Sequence, residues 1–438
     1  MIEAKSCEET VCEDRISELP DDLLVTILDR VPTKDAVATM FLSKRWQSIW
    51  TMKLKLAYQD SDAGSDYDYD DDHEQDGKKS KKSVWRFLDK SLQLHKAPVL
   101  DSLCIELGPQ CPTDVDVGKW VETAVDRRVT VLIFKLLWSA GPTRLPESFY
   151  TCETLQELTL SHKILVDFPS SSSSSSSCLR SLRFLQLFFV VYKDEDSILR
   201  FLSSCPNLRI LVVIRKKDDN VKKITVKVPS LCQLCYHDVY VGGTGRCLVA
   251  DTPALVKLSI IDGSTDHCSI DRMPCLHYAS ILTHYQPDER FLKSISSVRS
   301  LDFLSSQLVC FSAIYFPRLT KLSIEPRYSD WMEQLMGLLR NSPKVKNLHC
   351  RYRGNDLPPS WNQPSSIPEC LSSNLDNFTW HEYGGRQEEK KFLTYILANA
   401  KCLKTTKISL TPTLSLEEQH MMMEKLKDIP TTSQLLFE

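Results

Sequence analysis

A six-residue pattern recurs thirteen times along the 438 residues of this chain, and it constrains the fold more than any other feature. The pattern is L-x-x-L-x-L, with other apolar residues allowed at the leucine positions and with Ala279 and Thr406 as weak fourth positions. The clearest copies are LQELTL (155–160), LRFLQL (182–187), LRILVV (208–213), LVKLSI (255–260) and LTKLSI (319–324). Each copy predicts a short strand whose apolar side chains are buried only when neighbouring copies stack on it.

The spacing of the copies predicts what connects the strands. They begin at Leu100, Val129, Leu155, Leu182, Leu208, Leu231, Leu255, Leu276, Val298, Leu319, Val345, Leu375 and Leu403. The intervals of 21–30 residues lie in or next to the range of about 20–29 that is typical of leucine-rich repeats. The longer intervals carry helical patterns, at 85–95, 117–128, 198–205, 331–342 and 390–400. Between Leu208 and Leu319 the intervals are too short for a helix, so extended or turn-like returns are expected. The fold class predicted is an α/β solenoid, a horseshoe with helices on its convex side at both ends and a thinner middle.

The segment 14–57 precedes the repeats and has a different pattern. Pro20 suits the first turn of a helix, Pro32 ends that helix, and Thr33 and Ser43 can cap two further helices. The first helix carries an apolar stripe of Leu23, Leu24, Ile27, Leu28 and Val31. Three helices this short bury little surface, and the segment has more large apolar residues than its own core needs. Such an excess indicates an interaction face.

This segment resembles an F-box. The resemblance lies in Leu19-Pro20-x-x-Leu23-Leu24-x-x-Ile27-Leu28, in Val31-Pro32-Thr33-Lys34-Asp35 and in Leu42-Ser43-Lys44-Arg45-Trp46-x-x-x-Trp50. It implies a substrate receptor of an SCF-type cullin–RING ubiquitin ligase, which docks on the adaptor subunit and through it on the cullin. Carried over by position, the adaptor surface or its support would consist of Leu19, Pro20, Leu23, Leu24, Ile27, Leu28, Val31, Pro32, Val37, Leu42 and Trp46. Some of these, Leu28 and Trp46 among them, would equally suit the core of the three helices.

The end of the chain resembles the FBD region that closes many plant F-box/leucine-rich-repeat proteins. The matching elements are Pro368-Glu369-Cys370-Leu371, Gly384-Gly385, Glu388-Glu389, Phe392, Ile396-Leu397-x-Asn399-Ala400 and Leu403-Lys404. By pattern the region is a strand, a turn at Gly384-Gly385, an amphipathic helix and a final strand. A solenoid needs a cap of this kind at its C-terminal end.

These patterns divide the chain into five parts. The predicted parts are a disordered tail (1–13), the F-box (14–57), an acidic and lysine-rich linker (58–83), leucine-rich repeats (84–360), and the FBD region with C-terminal repeats and cap (361–438). The linker has many charges and few aliphatic residues, so it is expected to form no core and to act as a flexible spacer.

Composition argues against several classes of partner. A formal net charge of −3 gives no general reason to bind nucleic acid or a membrane surface, and no apolar run is long enough to span a bilayer. The N-terminus is acidic and does not resemble a signal peptide. Sixteen cysteines in such a chain predict reduced thiols. The expected location is therefore the cytoplasm, the nucleus or both.

Motifs for metal or catalytic chemistry are weak. Cys232-x-x-Cys235 with His237 could begin a zinc site, but zinc takes four ligands and no second pair of matching spacing follows. A calcium loop starting at Asp66 would need glycine at its sixth position, which here is Asp71. No nucleophile–base set is visible. We expect a protein that is not an enzyme and holds no metal or cofactor.

The remaining prediction concerns the substrate. Side chains between the buried positions of each strand should face outward on the concave sheet. The candidates on this face are Gln233, His237, Lys257, Tyr278, Asp302, Lys321, Glu325, His349 and Arg351. Their charges are mixed, so they indicate an unknown substrate protein without naming it. Three alternatives stay open: a ligand-binding repeat scaffold with no ubiquitination role, an enzyme with a pocket in the horseshoe, and a small molecule that joins receptor and substrate.

Overall fold

The computed structural model forms two compact units, 1–140 and 141–438. It describes residues 16, 18–60, 83–137, 141–168, 179–238, 246–263, 269–271, 273–283, 287–304, 314–326, 330–352, 361–412, 414–431 and 433–437. The predicted tail 1–13 and most of the predicted linker 58–83 lie outside these residues, and so does the calcium-loop segment that starts at Asp66.

The first unit begins with the three predicted helices. These are α1 (Asp21–Leu28), α2 (Thr33–Ala38) and α3 (Lys44–Ile49), with 3₁₀ turns at Thr39–Phe41 and Trp50–Met52. Two acidic residues begin α1, where their negative charges stabilise the helix by interacting with the positive end of its dipole. The Ser43 hydroxyl caps α3 by accepting the Trp46 N–H at 3.4 Å, as the pattern predicts. The helices share a small core made of Leu24, Leu28, Ala36, Ile49 and Trp50.

Three parallel strands and two helices complete the first unit. They are β1 (Lys55–Gln59), α4 (Trp85–Leu94), β2 (Ser102–Leu107), α5 (Gly118–Asp126) and β3 (Val131–Leu136), and the strands pair in the order β1-β2-β3. The helices α4 and α5 and the strands β2 and β3 agree with the repeat pattern. Strand β1 was not predicted, because Lys53 takes the first leucine position of its repeat.

Side chains of the F-box cover the outer edge of β1. The Asp29 carboxylate accepts the N–H groups of Leu54 at 2.9 Å and Lys55 at 3.2 Å, and the Thr33 hydroxyl accepts the Ala57 N–H at 2.8 Å. An uncovered strand edge presents unpaired N–H groups that invite other chains to pair with it. The corner between α1 and α2 removes this edge and joins the F-box directly to the first repeat strand.

The predicted linker is therefore an insertion rather than a spacer between the F-box and the repeats. The buried ring of Tyr58 and the adjacent Gln59 complete β1, so the linker does not begin at residue 58. The carboxylate of Asp60 then accepts the Val84 N–H at 2.6 Å and the Ser83 hydroxyl at 2.8 Å. One carboxylate thus joins residue 60 to residues 83 and 84, the described residues on either side of segment 61–82.

The second unit is built on twelve described parallel strands that pair in sequence order. Two further sets of short strands, β4-β6-β8 and β10-β12-β14, pair on the return segments. In chain order the strands are β4 (Thr143–Arg144), β5 (Glu157–His162), β6 (Ile164–Val166), β7 (Phe184–Phe188), β8 (Val191–Tyr192), β9 (Ile210–Ile214), β10 (Lys223–Lys227), β11 (Gln233–Asp238), β12 (Cys247–Asp251), β13 (Lys257–Asp262), β14 (Ser269–Ile270), β15 (Tyr278–Thr283), β16 (Ser300–Phe303), β17 (Lys321–Ile324), β18 (Asn347–Arg351), β19 (Asn377–Tyr383), β20 (Thr405–Leu410) and β21 (Gln434–Phe437). The main sheet is β5-β7-β9-β11-β13-β15-β16-β17-β18-β19-β20-β21.

All thirteen copies of the six-residue pattern coincide with a strand of a main sheet. The fourth and sixth positions are buried as predicted, for example Leu158 and Leu160 in β5. The weak fourth positions Ala279 and Thr406 are also fully buried. The last strand, β21, was not predicted and extends the sheet by one repeat.

The helices of the second unit lie on the return segments. They are α6 (Glu195–Ser203), α7 (Glu289–Ser294), α8 (Trp331–Arg340), α9 (Glu369–Ser373), α10 (Gln387–Asn399) and α11 (Leu416–Lys427), with a 3₁₀ turn at Glu147–Thr151. The predicted helical returns correspond to α6, α8 and α10, and β10, β12 and β14 are extended as expected. Helix α7 corrects the prediction that no helix lies between Leu208 and Leu319.

Helix α7 is short enough to fit its interval. Six residues of α-helix are only about 9 Å long. The Asp288 carboxylate caps the helix by accepting the Phe291 N–H at 2.7 Å, and the helix buries its own side chains Phe291 and Leu292. A local cap and two buried side chains thus stabilise a helix where chain length alone favours a turn.

The C-terminal cap depends on one tight turn between β19 and α10. The buried carboxylate of Glu389 accepts the Gly384 N–H at 3.1 Å and the Arg386 N–H at 3.0 Å. Gly385 between them has φ of +71°, and a Cβ there would lie 2.3 Å from Cε of Met422 on α11. Glycine therefore serves two purposes, the left-handed backbone and the close approach of α11.

We predict that Gly385→Ala lowers the free energy of unfolding by about 1–3 kcal/mol, because alanine is strained at positive φ and collides with Met422. Combining it with Met422→Ala should recover the steric part and leave the backbone part. The measurement is the thermal midpoint of the four proteins in this cycle. Gly141→Ala is the control, since nothing lies within 4 Å of its Cβ position. Equal midpoints for Gly385→Ala and Gly141→Ala would contradict the prediction.

His95 is buried in the first unit between two partners that fix its neutral form. Its Nε2 contacts the Lys53 carbonyl oxygen at 2.7 Å, and its Nδ1 contacts an Arg127 guanidinium nitrogen at 2.6 Å. A carbonyl can only accept and a guanidinium can only donate, so Nε2 carries the proton and Nδ1 accepts. Burial lowers the pKa of His95 below its ordinary value, and the positive charge of Arg127 lowers it further.

We predict that His95 makes the first unit less stable in mild acid. The unfolded state binds a proton near the ordinary histidine pKa of about 6.5, whereas the folded state binds it only at lower pH. The unfolded state therefore holds more protons in this window, and stability rises with pH until the ordinary pKa is passed. Thermal midpoints between pH 5 and 7.5 should rise more steeply for the wild type than for His95→Gln. The exposed His420→Gln variant should follow the wild type, and parallel curves for all three proteins would contradict the assignment.

Candidate functional site

The F-box residues selected from the sequence fall into three groups by exposure. Leu24 and Leu28 are in the core of the three helices, so within the predicted set of adaptor surface or support they belong to the support. Leu19, Val31, Val37 and Trp46 are partly buried and pack against that core. Pro20, Leu23, Ile27, Pro32 and Leu42 are exposed. The exposed group is the direct candidate for adaptor binding, and the other two groups support it.

Large apolar side chains are exposed on two elements of the F-box, α1 and the 3₁₀ turn before α3. Leu23 and Ile27 lie one turn apart on α1 and are 50% and 44% exposed. Phe41 and Leu42, at the end of the 3₁₀ turn, are 86% and 69% exposed. Phe41 was not selected from the sequence, in which it shares one apolar helical face with Ala36, Val37 and Met40. The α-helix ends at Ala38 and a 3₁₀ turn spans Thr39–Phe41, a change that sequence spacing does not show.

The F-box helices are held together by polar contacts as well as by their core. Arg45 on α3 forms an ion pair with Asp21 on α1 at 2.6 Å and also donates to the Leu19 carbonyl oxygen. At the other end, the buried Lys53 ammonium donates to the Leu28 carbonyl oxygen and lies 3.8 Å from Asp29. The exposed apolar residues thus belong to helices that paired polar groups hold in place.

The structure brings five of the nine substrate-face candidates together. A depression of about 260 Å³ on strands β16–β19 is lined by Asp302, Lys321, Glu325, His349 and Arg351, together with Ser323, Ile324, Cys350 and His381. Parallel pairing places Asp302, Ser323 and His349 side by side on successive strands. His381 was not selected from the sequence, although the repeat that begins at Leu375 places it opposite Arg351.

The other four candidates lie outside this depression. Tyr278 is its neighbour, because its hydroxyl donates to Asp302 at 2.7 Å. Gln233 and His237 are on β11 and Lys257 is on β13, and each is at least partly exposed. They share the outward phase of the strands, as predicted, but do not belong to the same depression.

Charges of both signs meet in the depression. Burial lowers the pKa of His349, and the nearby Lys321 ammonium lowers it further. Burial and the hydrogen bond to Asp302 raise the pKa of Tyr278. Arg351 lies 3.6 Å from the carboxylate of Glu382, which is held by a bulge in β19. The depression can therefore donate to and accept from a polar protein segment.

Cys235 and His237 form the closest thiol–imidazole contact on this face, at 3.1 Å between Sγ and Nε2. Burial raises the pKa of the Cys235 thiol and lowers that of His237, which opposes formation of a thiolate–imidazolium pair. Within the described residues no group of three His, Cys, Asp or Glu side chains is arranged to hold a metal ion. None of the described helices is long and apolar enough to cross a bilayer.

Comparison with known families covers the same segments. The F-box domain model matches residues 16–57, the model "FBD-associated F-box protein At5g56370, LRR repeats" matches 117–349, and the FBD model matches 363–408. The chain is 54% identical to Putative FBD-associated F-box protein At1g05080 of Arabidopsis thaliana, and the alignment covers 100% of both chains. The chain belongs to the F-box/FBD/LRR-repeat family. From the same organism, Putative F-box/FBD/LRR-repeat protein At1g22000 is 47% identical, with 99% of this chain and 93% of the relative covered.

Membership in the F-box/FBD/LRR-repeat family confirms the resemblance and the fold class predicted from the sequence. The F-box match ends at residue 57, inside β1, so the strand that joins the F-box to the repeats is also the place where two family segments meet. The FBD match ends at residue 408 within β20. Helix α11 and strand β21 therefore continue the cap beyond it.

We predict that Leu28 contributes to the stability of the F-box as a core residue, whereas Leu23 contributes little because it lies on the surface. Leu28→Ala should lower the free energy of unfolding by about 2–5 kcal/mol, because it leaves a cavity among α1, α3 and Trp50. Leu23→Ala should change it by less than about 0.5 kcal/mol, since half of the side chain already contacts solvent. Denaturant titration of both variants checks the assignment. A larger loss for Leu23→Ala than for Leu28→Ala would reverse it.

Proposed function

We propose that this protein is the substrate-recognition subunit of an SCF-type cullin–RING E3 ubiquitin ligase. It would bind the adaptor subunit through the exposed apolar residues of the F-box and a substrate protein through the repeat sheet. The observation that carries the proposal is the excess of large exposed apolar side chains on an F-box whose own core is complete. Leu23, Ile27, Phe41 and Leu42 are exposed although Leu24 and Leu28 already fill the core.

The exposed residues support a protein partner on energetic grounds. Apolar surface removed from water stabilises a complex by about 25 cal/mol per Å², and large side chains at the centre of an interface dominate its affinity. Two of the four side chains lie on α1 and two lie in the turn that leads into α3. The Arg45–Asp21 ion pair joins α1 to α3. A partner that covered them would meet a surface with a fixed geometry.

The role in ubiquitination would be one of position rather than chemistry. A receptor that holds its substrate near a charged ubiquitin-conjugating enzyme raises the effective concentration of the reacting groups. This requires no nucleophile, metal or cofactor on the receptor itself. The polar depression that contains Asp302, His349 and Arg351 is the proposed contact for the substrate. The proposed location is the cytoplasm, the nucleus or both, where adaptor and cullin would be available.

We predict that Leu23→Asp combined with Ile27→Asp weakens adaptor binding by roughly 100-fold or more, because two interface side chains would be replaced by charges that must be desolvated. The test is co-expression with a plant adaptor subunit, followed by size-exclusion chromatography and titration of the purified proteins. The matched control is Leu94→Asp with Val99→Asp, which adds the same charges to two exposed apolar positions outside the F-box. Equal affinity of the two double variants would contradict the docking surface.

The proposed substrate binding is tested in the variant whose F-box no longer binds the adaptor. The Leu23→Asp, Ile27→Asp variant should still capture substrate but should not deliver it, so captured proteins should accumulate in plant cells that express it. Adding Lys321→Glu and Arg351→Glu should abolish the capture of those proteins. A different result would favour the alternative of a repeat scaffold without a ubiquitination role. In that case capture would depend on the depression, but the captured proteins would be equally abundant in cells that express the wild type or the F-box variant.

A further inference from the structure

A second depression on the repeats is strongly basic and lies apart from the one on β16–β19. It has a volume of about 500 Å³ and is lined by Gln156, Arg180, Ser181, Arg183, Asn207 and Arg209. Three of the six lining residues are arginines, and none is acidic. None of these residues was selected from the sequence, because they precede the strands and do not lie within them.

Backbone pairing holds two of these arginines in register. The Arg183 N–H donates to the Gln156 carbonyl oxygen at 2.8 Å, and the Arg209 N–H donates to the Arg183 carbonyl oxygen at 2.9 Å. The two residues therefore occupy the same place in adjacent repeats, separated by the strand spacing of about 4.8 Å. Arg180 belongs to the preceding turn, and the Asn207 side-chain amide fixes that turn by donating to the Arg180 carbonyl oxygen at 2.8 Å.

The three guanidinium groups lack a counter-charge within the described part of the chain. No described carboxylate lies within 4.0 Å of Arg180, Arg183 or Arg209, and the one described side-chain contact of the three is that of Arg209 with Cys232 Sγ at 3.6 Å. Four other cations of the same repeats have a carboxylate partner. Their ion pairs are Arg144–Asp167, Lys193–Asp167, Arg200–Asp194 and Lys216–Asp218.

Like charges opposite each other on neighbouring strands destabilise a sheet. The arrangement of Arg183 and Arg209 therefore costs stability in the isolated chain, and a bound anion would reverse that cost. Arginine is suited to this task, because its planar guanidinium donates two parallel hydrogen bonds to a phosphate group. Three such groups around one depression match the several acceptor oxygens of a phosphate monoester better than the two oxygens of a carboxylate.

We propose that this depression binds a phosphorylated serine or threonine of the substrate protein. The inference rests on the proposed function, which supplies the reason for a protein ligand. The small number of arginines around the depression also favours one phosphate group over nucleic acid, which contacts basic side chains along many successive phosphates. The net charge of −3 argues in the same direction. A substrate would thus be recognised at two separate places on the repeats.

The test uses the full-length protein and a fluorescein-labelled peptide of glycine and serine with one central phosphoserine. Fluorescence anisotropy should show that the phosphopeptide binds at least about tenfold more tightly than its unphosphorylated and glutamate counterparts. Arg183→Gln combined with Arg209→Gln should remove this difference. Arg183→Lys should retain part of it, because the charge remains while the paired hydrogen bonds are lost.

The matched control is Lys222→Gln with Lys223→Gln, which removes two exposed positive charges elsewhere in the same unit. This variant should bind the phosphopeptide like the wild type. Equal binding of all three peptides would overturn the proposal, and so would equal effects of the arginine and lysine variants. Tighter, arginine-dependent binding of a single-stranded RNA oligonucleotide would overturn it in favour of nucleic acid. Adaptor titration of the same variants keeps this test separate from the proposed function, because the F-box is unchanged in them.

Discussion

The structure depends on one constraint: a single repeat cannot bury the apolar side chains of its own strand, and neighbouring repeats must cover them. A strand with two buried side chains on one face has nothing to bury them against until another strand stands beside it. Leu158 and Leu160 in β5 are covered because β7 and its side chains Leu185 and Leu187 pair with it in register. Each strand of a sheet depends on its neighbours in this way, and a strand with no neighbour on one side has an open edge.

The first strand and the C-terminal cap are stabilised by different chemistry. At the first strand, Asp29 and Thr33 supply side-chain oxygens to the N–H groups of β1, so polar groups replace a missing strand. In the cap, α10 and α11 come together over the turn at Gly385, and a cluster of Trp331, Trp380 and Phe392 fills the interior beneath α10. The first solution also carries function, because the residues that close the edge belong to the F-box.

Much of the fold could be predicted because the sequence has two clear periods, the alternation of buried residues within a strand and the spacing between repeats. Strand positions such as Leu234 and Tyr236 follow a period of two, and the intervals between copies separate helical from extended returns. The exceptions have local physical causes. Strand β1 escaped the pattern because Lys53 replaces an apolar residue and buries its ammonium against the Leu28 carbonyl oxygen. Helix α7 formed because Asp288 caps it, a short-range effect that interval length does not record.

The candidate sites were harder to predict than the fold. Helical period identifies Leu23 and Leu28 as members of one stripe, yet only packing determines that the first is exposed and the second is buried. The depression on β16–β19 could be predicted in part, because outward phase along each strand selects Asp302 and His349. The arginines at 180, 183 and 209 could not, because their significance lies in the absence of nearby carboxylates among the described residues, which is a property of three dimensions.

The hydrogen bonds of the Asp60 carboxylate indicate where the first unit can accept an insertion. Asp60 directly follows β1, and its carboxylate accepts the Ser83 hydroxyl and the Val84 N–H, so the described residues that flank segment 61–82 are held together. Lengthening a loop between fixed ends costs only about 0.6 kcal/mol for each doubling. The segment is thus a natural place to insert a fluorescent domain or an affinity tag, with both the F-box and the first repeat left intact. A reporter at this position would follow the receptor in living cells without adding a fusion at either terminus.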